Sequence, residues 1–132
     1  MATYPDMVGT VVSNMGAALA FYRLLGLAIP AGAEAEPHVE VITPNGYRLA
    51  WDTEEVIKSF DPDWTAPTGQ RVSLAFKCDS PAEVDALYER IVAQGHRGHK
   101  APWDAFWGQR YATVADPDGT RVDLFAPLAG DA

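Results

Sequence analysis

The sequence predicts an α+β protein in which one strand–helix–hairpin unit occurs twice. Two pairs of similar segments carry this prediction. The segment at 14–23, Asn-Met-Gly-Ala-Ala-Leu-Ala-Phe-Tyr-Arg, resembles the segment at 80–89, Ser-Pro-Ala-Glu-Val-Asp-Ala-Leu-Tyr-Glu. The turn Pro-Asn-Gly at 44–46 likewise resembles Pro-Asp-Gly at 117–119, and the longer helix-to-turn spacing in the second copy indicates an insertion there. A supersecondary unit that is used twice is typical of a duplicated sheet.

The first copy is predicted to run strand, helix, hairpin. Residues 8–12 form a short apolar run rich in β-branched side chains, which favours a strand. The helix should begin at Ser13 or Asn14, whose side chains can accept hydrogen bonds from the first turn, and it should end at Gly26. The hairpin arms should be residues 38–43 and 47–52.

The second copy repeats this order with stronger helix signals. Its strand is predicted at 72–78. Ser80-Pro-Ala-Glu83 is a capping box with proline at the first helical position. Apolar residues then recur at helical spacing until Gly95 ends the helix. The hairpin arms should be residues 107–115 and 120–126.

We expect one domain over residues 1–132, with a first module at 1–60, a linker at 61–70 and a second module at 71–128. The linker is rich in turn-forming residues and has no periodicity. It also contains Trp64, which we expect to pack on another part of the chain because solvated linkers rarely carry tryptophan.

Composition excludes several function classes. The net charge is −8 and the chain has no Lys/Arg cluster, so we expect no nucleic-acid partner. No apolar stretch approaches the roughly 18 residues of a membrane span, and the first residues do not resemble a signal peptide, so we expect no membrane association. A single cysteine, Cys78, fits a reducing compartment, and we expect a cytoplasmic protein.

Two motifs carry a family resemblance. Phe-Tyr-Arg-Leu-Leu-Gly at 21–26 and Trp-Gly-Gln-Arg-Tyr-Ala-Thr-Val-Ala-Asp-Pro-Asp-Gly at 107–119 resemble those of the vicinal oxygen chelate superfamily. This group includes glyoxalase I, extradiol dioxygenases, fosfomycin-inactivating enzymes and bleomycin-binding proteins. The resemblance implies paired βαβββ modules that form curved mixed sheets around a cleft, usually within a homodimer.

Further segments resemble the mitomycin-resistance branch of antibiotic-binding proteins. They are Arg-Leu-Ala-Trp-Asp-Thr-Glu at 48–54, the linker at 61–69, Ala-Pro-Trp at 101–103, Trp-Gly-Gln-Arg-Tyr at 107–111 and Val-Asp-Leu-Phe-Ala-Pro at 122–127. This resemblance implies antibiotic resistance by sequestration of a flat drug through stacking, without turnover.

The resemblance also locates the positions that hold a divalent metal in the superfamily's enzymes. Here they align with Met7, Ala50, Ser73 and Asp123. Only Asp123 is an ordinary metal ligand, so we expect neither a metal nor another cofactor. We expect Asp123 to pair with Arg48 or Arg121 instead.

The remaining histidines and the cysteine point to structure rather than chemistry. His96 and His99 follow Gly95 and lack further ligands nearby, so we interpret them as exposed residues of a loop or short strand. Cys78 shares the strand parity of Val72, which should face the helices, and a thiol buried there should be inert.

Strand alternation divides the hairpin residues between two faces. If the metal-equivalent positions face the cleft, Arg48, Ala50 and Asp52 share it with Arg121, Asp123 and Phe125. The alternate residues, Trp51 among them, then face the helices as core. The predicted ligand-binding residues are His38, Asp52, Trp103, Phe106, Trp107, Arg48 and Asp123.

The aromatic residues among them lie at or near the starts of strands. The resemblance implies that Trp107 and His38 sandwich a planar chromophore, and stacking on tryptophan contributes roughly 0.5–1.5 kcal/mol beyond area burial. The alternative for Trp103 and Trp107 is packing against the linker that carries Trp64.

The sequence therefore predicts a homodimeric, metal-free protein that sequesters or carries a small planar or polycyclic aromatic antibiotic. One alternative is a metal-dependent lyase or isomerase of the glyoxalase type, or another enzyme of the dioxygenase family, with unrecognised ligands. Another is a metal-free enzyme that uses Asp52 or Asp123 as a general base, which needs a carboxylate pKa raised by burial.

Overall fold

A computed structural model of the chain describes residues 2–129 and divides into two compact units, Met1–Pro67 and Thr68–Ala132. The strands are β1 (Met7–Val12), β2 (His38–Ile42), β3 (Arg48–Thr53), β4 (Leu74–Lys77), β5 (Arg97–Ala105), β6 (Gln109–Ala115) and β7 (Arg121–Pro127), and the helices are α1 (Met15–Leu24), α2 (Glu54–Phe60) and α3 (Pro81–Ala93). The predicted α+β class is confirmed. Across residues 2–129, no helix is both long and apolar enough to cross a membrane.

The first unit is a three-stranded mixed sheet with helix α1 on one face. The strand order is β1-β3-β2, with β1 parallel and β2 antiparallel to β3. Trp51 of β3 is 1% exposed, and its ring centroid lies 5.1 Å from that of Tyr22 on α1. Trp51 is therefore core, as predicted. The strand residues of opposite parity, including Arg48 and Asp52, lie on the face away from α1.

Local capping explains where the helices of the first unit begin. The Asn14 side chain accepts a hydrogen bond from the Ala17 amide at 2.9 Å, so α1 begins where the sequence predicts. Helix α2 was not predicted. Thr53 caps it by accepting from the Val56 amide at 3.3 Å, and Glu54 and Glu55 in its first turn favour the positive end of the helix dipole.

The first unit departs from a full βαβββ module. Its described residues form three strands, and a 3₁₀ turn at Ala33–Ala35 lies between α1 and β2. The connecting segment contains Pro30, Pro37 and a left-handed Gly32 with φ of 86°. Because proline cannot donate to a strand ladder and this segment lacks alternation, no strand forms there.

The second unit has the full complement of four strands. The order is β4-β7-β6-β5, with β4 parallel to β7 and the other neighbours antiparallel. Helix α3 packs against β5, β6 and β7. Val84 and Ile91 of α3 are fully buried, together with Val114, Val122 and Leu124 of the sheet.

The predicted capping box of α3 is present in a slightly altered form. The Ser80 hydroxyl accepts from the Glu83 amide at 3.2 Å, and the Glu83 carboxylate accepts from the Asp79 amide at 3.0 Å. The carboxylate thus reaches the residue before the N-cap rather than the N-cap itself. Both bonds satisfy amides near the helix start, which explains why α3 begins at Pro81.

Two predictions for the second unit need correction. Val72 is 67% exposed rather than helix-facing, because β4 begins only at Leu74. His99 lies within the long strand β5 and is exposed, whereas His96 precedes β5 and is half-buried rather than exposed. Register shifts on either side of Lys100 break the alternation that would have identified β5.

The environments of Trp64 and Cys78 follow the predictions in part. Trp64 is half-buried, with the Lys58 ammonium of α2 5.8 Å from its ring centroid. Cys78 is also half-buried, and desolvation, followed by the charges of Glu83 and Asp79, raises the pKa of its thiol. A raised pKa keeps the thiol protonated and unreactive, as expected of a structural cysteine.

Candidate functional site

Five aromatic side chains of the second unit form one continuous group, here called the aromatic cluster. Its members are Trp103 of β5, Phe106 and Trp107 of the β5–β6 turn, Tyr111 of β6 and Phe125 of β7. Trp103 and Tyr111 are direct cross-strand partners, as are Tyr111 and Phe125. The register of three adjacent strands therefore brings these rings onto one face of the sheet.

Trp107 lies at the centre of the aromatic cluster. Its ring centroid is 4.9 Å from Phe106, 5.2 Å from Tyr111 and 5.4 Å from Trp103, in each case edge to face. Its indole nitrogen donates to the Gln109 side chain at 2.8 Å. These contacts fix the ring, yet Trp107 remains 47% exposed and Phe106 is 91% exposed. The cluster thus presents oriented aromatic surface outward.

Trp103 is the more enclosed tryptophan of the cluster. Its indole nitrogen is buried and has no hydrogen-bond partner within residues 2–129. The Lys100 ammonium lies 4.7 Å from its ring centroid, a cation–π distance. A buried N–H without a partner costs about 1–3 kcal/mol relative to one that is hydrogen-bonded.

Asp123 of β7 is held by hydroxyl groups. Its two carboxylate oxygens accept from the Tyr111 hydroxyl at 2.7 Å and from the Thr113 hydroxyl at 2.9 Å. Arg121, one of its two predicted partners, does not pair with Asp123 in the structure; the other, Arg48, belongs to the first unit and bonds there to Glu40 and Asp6. Thr113 lies directly opposite Asp123 in the β6–β7 ladder, so its hydroxyl can reach the carboxylate. The Arg121 guanidinium donates instead to the Gly119 carbonyl at 3.1 Å.

The hydrogen bond between Tyr111 and Asp123 helps to keep the phenol of Tyr111 protonated. Burial, together with the hydrogen bond to the Asp123 carboxylate, raises the pKa of Tyr111 to about 12. At neutral pH Tyr111 is therefore a hydrogen-bond donor and not a proton source. Both carboxylate oxygens of Asp123 already accept a hydrogen bond from a hydroxyl group.

Five charged or ionisable side chains of the first unit form a second group, here called the charged row. Asp6 precedes β1, His38 and Glu40 lie on β2, and Arg48 and Asp52 lie on β3. His38 Nδ1 is 2.5 Å from an Asp52 oxygen, and His38 Nε2 is 3.1 Å from a Glu40 oxygen. Each nitrogen of the imidazole therefore faces a carboxylate.

Arg48 continues the charged row on the other side of Glu40. It donates to the second Glu40 oxygen at 3.0 Å and, through Nε and Nη2, to Asp6 at 3.0 and 2.6 Å. Glu40 and Asp6 were not predicted from the sequence. The position of Glu40 was readable, because a residue two places from His38 on a strand shares its face.

Hydrogen bonds in the charged row shift three pKa values, and that of Arg48 is raised by its bonds to Asp6 and then Glu40. The bond to Asp52, and then that to Glu40, raises the pKa of His38 above its ordinary value. His38 and then Arg48 lower the pKa of Glu40. The row is therefore an alternation of negative and positive groups in which His38 favours its imidazolium form.

The donor set at the four metal-equivalent positions does not fit a divalent cation. Met7 offers a thioether, Ala50 a buried methyl group, and Ser73 a hydroxyl outside the strand. Asp123 is the one carboxylate, and hydroxyl donors engage both of its oxygens. Within residues 2–129, no three His, Cys, Asp or Glu side chains are grouped so as to hold a metal.

The predicted site residues fall into the two groups just described. His38, Arg48 and Asp52 belong to the charged row of the first unit. Trp103, Phe106 and Trp107 belong to the aromatic cluster of the second unit, where Asp123 bonds to Tyr111. The Tyr111 ring lies beside Trp107, and its hydroxyl donates to Asp123.

The family of the chain follows from a family model. Residues 5–124 match the model of the glyoxalase/bleomycin resistance protein/dioxygenase superfamily. Since this range covers most of the chain, the protein belongs to that superfamily. No curated protein gives a significant match to the sequence.

Solved structures agree with the family assignment. A glyoxalase/bleomycin resistance protein/dioxygenase family enzyme from Burkholderia phytofirmans PsJN has a TM-score of 0.82 at 19% identity, covering 93% of this chain and 98% of that one. A glyoxalase-related enzyme from Fulvimarina pelagi has a TM-score of 0.79 at 21% identity, with coverage of 99% and 96%. An Agrobacterium tumefaciens protein solved by NMR has a TM-score of 0.76 at 26% identity, with coverage of 97% and 100%. At the identities of the first two, similarity establishes the fold alone.

Proposed function

We propose that this protein is a metal-free binding protein that sequesters or carries a small planar or polycyclic antibiotic, as in the mitomycin-resistance branch of its superfamily. The aromatic cluster is the observation that carries the proposal. Its central ring, Trp107, is fixed by three edge-to-face contacts and a hydrogen bond, yet is 47% exposed. A fixed and accessible indole suits a flat aromatic ligand because little side-chain entropy is lost on binding.

The expected energetics are compatible with useful affinity. Offset stacking on an aromatic face contributes roughly 0.5–1.5 kcal/mol beyond area burial. Micromolar binding needs about 8 kcal/mol in total. Stacking alone is insufficient, so burial of the ligand's own apolar surface and polar contacts must supply the rest.

Polar groups in each unit are proposed to orient a ligand bound to that unit. Asp123 keeps unused acceptor capacity after its bonds to Tyr111 and Thr113, because a carboxylate has about four lone-pair sites. In the first unit, His38, Arg48 and Asp52 are proposed separately as ligand-binding residues. The net charge of −8 favours neutral or cationic ligands over anionic ones.

The donor set supports binding without metal chemistry. Enzymes of the superfamily rely on a divalent ion as a Lewis acid, and a thioether, a methyl group and a hydroxyl are poor ligands for such an ion. The proposal therefore assigns no turnover to the bound compound.

The quaternary and cellular settings are part of the same proposal. We infer a cytoplasmic homodimer, which the family resemblance and the open sheet edges support. Analytical ultracentrifugation at micromolar concentration should show twice the chain mass of 14.3 kDa. A species of 14.3 kDa alone would reject the dimer and leave the binding proposal standing.

An enzymatic function is the second candidate, since two of the similar structures are described as enzymes. A glyoxalase-type lyase or isomerase would need metal ligands other than the four aligned positions. Loss of activity on chelation, or chemical conversion of a bound compound, would favour this alternative.

A thermal-shift screen tests the proposed function. Chelator-treated protein is heated with DNA-damaging antibiotics and with neutral polycyclic aromatics. A ligand at about 100 times its dissociation constant adds about 2.7 kcal/mol of stability and should raise the melting temperature measurably. Recovery of the ligand unchanged, by mass spectrometry, supports sequestration. A screen without any stabilising planar compound would contradict the proposal.

A further inference from the structure

The Arg110 side chain joins three elements of the second unit. From β6 it donates to Asp85 of α3 through Nε at 2.9 Å and through Nη2 at 3.3 Å, and its Nη1 donates to Asp104 of β5 at 3.1 Å. The two bonds to Asp85 engage both oxygens of that carboxylate. A guanidinium that binds one carboxylate through two donors is fixed in orientation as well as held by charge.

This ion-pair network lies just behind the β5–β6 turn. Asp104 and Arg110 are cross-strand partners, and only the pair Ala105–Gln109 separates them from the turn residues at 106–108. The turn also contains the left-handed Gly108, with φ of 92°. The network therefore ties the tip of the β5–β6 hairpin to helix α3.

Arg110 lies between two residues that hold Trp107. Gln109 precedes it and accepts from the indole nitrogen of Trp107 at 2.8 Å. Tyr111 follows it, and its ring centroid is 5.2 Å from that of Trp107. A shift of the β6 backbone at Arg110 would therefore move both supports of the indole.

The network and the aromatic cluster lie on opposite faces of the sheet. Arg110 reaches α3, so strand alternation places Tyr111 on the face away from that helix. On β5, Asp104 belongs to the network and the preceding Trp103 belongs to the cluster. Arg110 can thus influence the cluster through the backbone of the hairpin without lying beside a ligand.

We propose that Arg110 is a positioning residue that, with Asp85 and Asp104, holds the β5–β6 turn so that Trp107 is oriented before a flat ligand binds. The inference rests on the proposed ligand-binding function. A side chain that is already ordered loses less entropy when a ligand binds. Because partly exposed ion pairs contribute little to global stability, the effect of this network should be local to the turn.

The first part of the test needs no ligand and uses NMR of protein labelled with ¹⁵N-tryptophan. Arg110→Ala should speed solvent exchange of the Trp107 indole proton roughly two- to five-fold, the factor that corresponds to the loss of a partly exposed ion pair. Arg110→Lys keeps the charge but lacks the fork that bridges two carboxylates, so its effect should be intermediate. An unchanged Trp107 exchange rate in Arg110→Ala would overturn the inference.

Internal references separate positioning from a general structural role. The indole signal of Trp51 in the first unit and the methyl signals of Val114, which is buried in the core of the second unit, should not change in Arg110→Ala. If the Val114 signals changed along with that of Trp107, Arg110 would support the unit as a whole and the positioning role would be wrong.

Two further variants test the specificity of the network. Glu34→Gln removes one partner of the similarly exposed Arg23–Glu34 ion pair in the first unit and should leave Trp107 exchange unchanged. Asp85→Asn should speed that exchange, and adding it to Arg110→Ala should have no further effect, because both changes remove the same bonds. Strictly additive effects would show that Arg110 does not act through Asp85.

The second part measures binding of the planar probe 9-aminoacridine by calorimetry. Arg110→Ala should weaken its affinity roughly two- to ten-fold, the cost of ordering one side chain on binding. Arg110→Lys should have a smaller effect and Glu34→Gln none. If Trp107 exchange changed in Arg110→Ala while the affinity did not, the inference would be overturned and the binding function would stand. If the native protein did not bind 9-aminoacridine, the proposed function would fail for this planar probe, and the NMR comparison would still decide whether Arg110 positions Trp107.

Discussion

Asp123 illustrates at the residue scale how register determines the partners of a charged group. The β6–β7 ladder places Thr113 directly opposite Asp123, and Tyr111 lies one pair further along the same face. Both hydroxyls donate to the carboxylate. The charge is therefore stabilised by neutral donors rather than by the guanidinium expected from the sequence.

Tyr111→Phe tests how much the hydrogen bond from Tyr111 to Asp123 contributes to stability. The substitution removes one donor to a carboxylate that is partly shielded from water, so stability should fall by about 1–2 kcal/mol at neutral pH. Tyr47→Phe is the matched control, because the Tyr47 hydroxyl has no hydrogen-bond partner within residues 2–129. Denaturant titration measures both variants. If both variants lost equally little stability, the Tyr111–Asp123 bond would not stabilise the fold.

The ionisation of Tyr111 at high pH provides a second test of the same hydrogen bond. The folded-state pKa of Tyr111 is raised from 10.0 to about 12. Its contribution to stability is therefore complete below pH 10 and is lost as the pH rises through about 12. Ultraviolet difference titration of the native protein should show a tyrosine that ionises near pH 12 and is absent in Tyr111→Phe. If no tyrosine of the native protein ionised near pH 12, the raised pKa assigned to Tyr111 would be wrong.

At this scale the sequence predicted residue types better than residue partners. Strand alternation assigned Arg48, Asp52 and Asp123 each to a face of its strand. Their partners depend on the register between strands and on short segments such as the one containing Asp6. The turn at 116–119 fixes the β6–β7 register, so the Thr113–Asp123 pair was in principle predictable. The Asp6–Arg48 bond depends on a residue outside every strand and was not.

At the scale of elements, the packing of α3 on β5 depends on a glycine. A Cβ atom at Gly98 would lie 2.7 Å from Cζ of Tyr88 and 3.0 Å from Cγ2 of Val92, and closer still to the Tyr88 hydroxyl. Both side chains belong to α3. The tyrosine ring thus occupies the space that a side chain on β5 would need, which brings helix and strand close together.

Gly98→Ala should therefore destabilise the second unit. Displacing the rigid tyrosine ring should cost about 1–3 kcal/mol, the usual range for overpacking. Gly9→Ala in β1 is the control, because a Cβ there meets nothing within 4 Å. The control should be neutral or slightly stabilising. Melting temperatures compare the two.

A double variant provides the decisive comparison for this contact. Tyr88→Ala with Gly98→Ala should cost less than the sum of the single variants, since the first removes the atoms that the second would strike. Strict additivity would show that Tyr88 does not pack on Gly98.

Helices and strands with strong local sequence signals were predicted, and those without such signals were not. Asn14 and Ser80 cap α1 and α3 as expected. Helix α2 has seven residues and no buried side chain, so it produces no periodic apolar pattern, although Thr53 and the following glutamates were a readable start signal. Strand β5 was missed because two register shifts break its alternation.

At the scale of the whole molecule, the side chains aligned with the superfamily's metal ligands do not supply the donors that a divalent ion needs. The purified protein should accordingly contain no stoichiometric zinc, nickel, iron or manganese after dialysis. Elemental analysis by mass spectrometry measures this. About one divalent ion per chain, lost together with an activity on chelation, would contradict the account.

Function is harder to predict from the sequence than the fold is. The repeat and two motifs were sufficient for the superfamily, because they reflect the fold itself. Ligand identity depends on how Trp107 and its neighbours are exposed, and similar residue types also form ordinary cores. Trp51 and Trp107 illustrate this, since one is 1% and the other 47% exposed.

The most direct test of the central claim compares these two tryptophans in one titration. The planar antibiotic or polycyclic compound with the largest thermal shift is titrated calorimetrically into the native protein, Trp107→Ala and Trp51→Ala. Trp107→Ala should weaken binding by about 2 kcal/mol or more, the usual threshold for a hot spot. Its loss of stability should be smaller than the about 3–5 kcal/mol expected for truncation of the buried Trp51. If Trp107→Ala lost as much stability as Trp51→Ala and kept full affinity, Trp107 would be core and the aromatic cluster would not be the binding site.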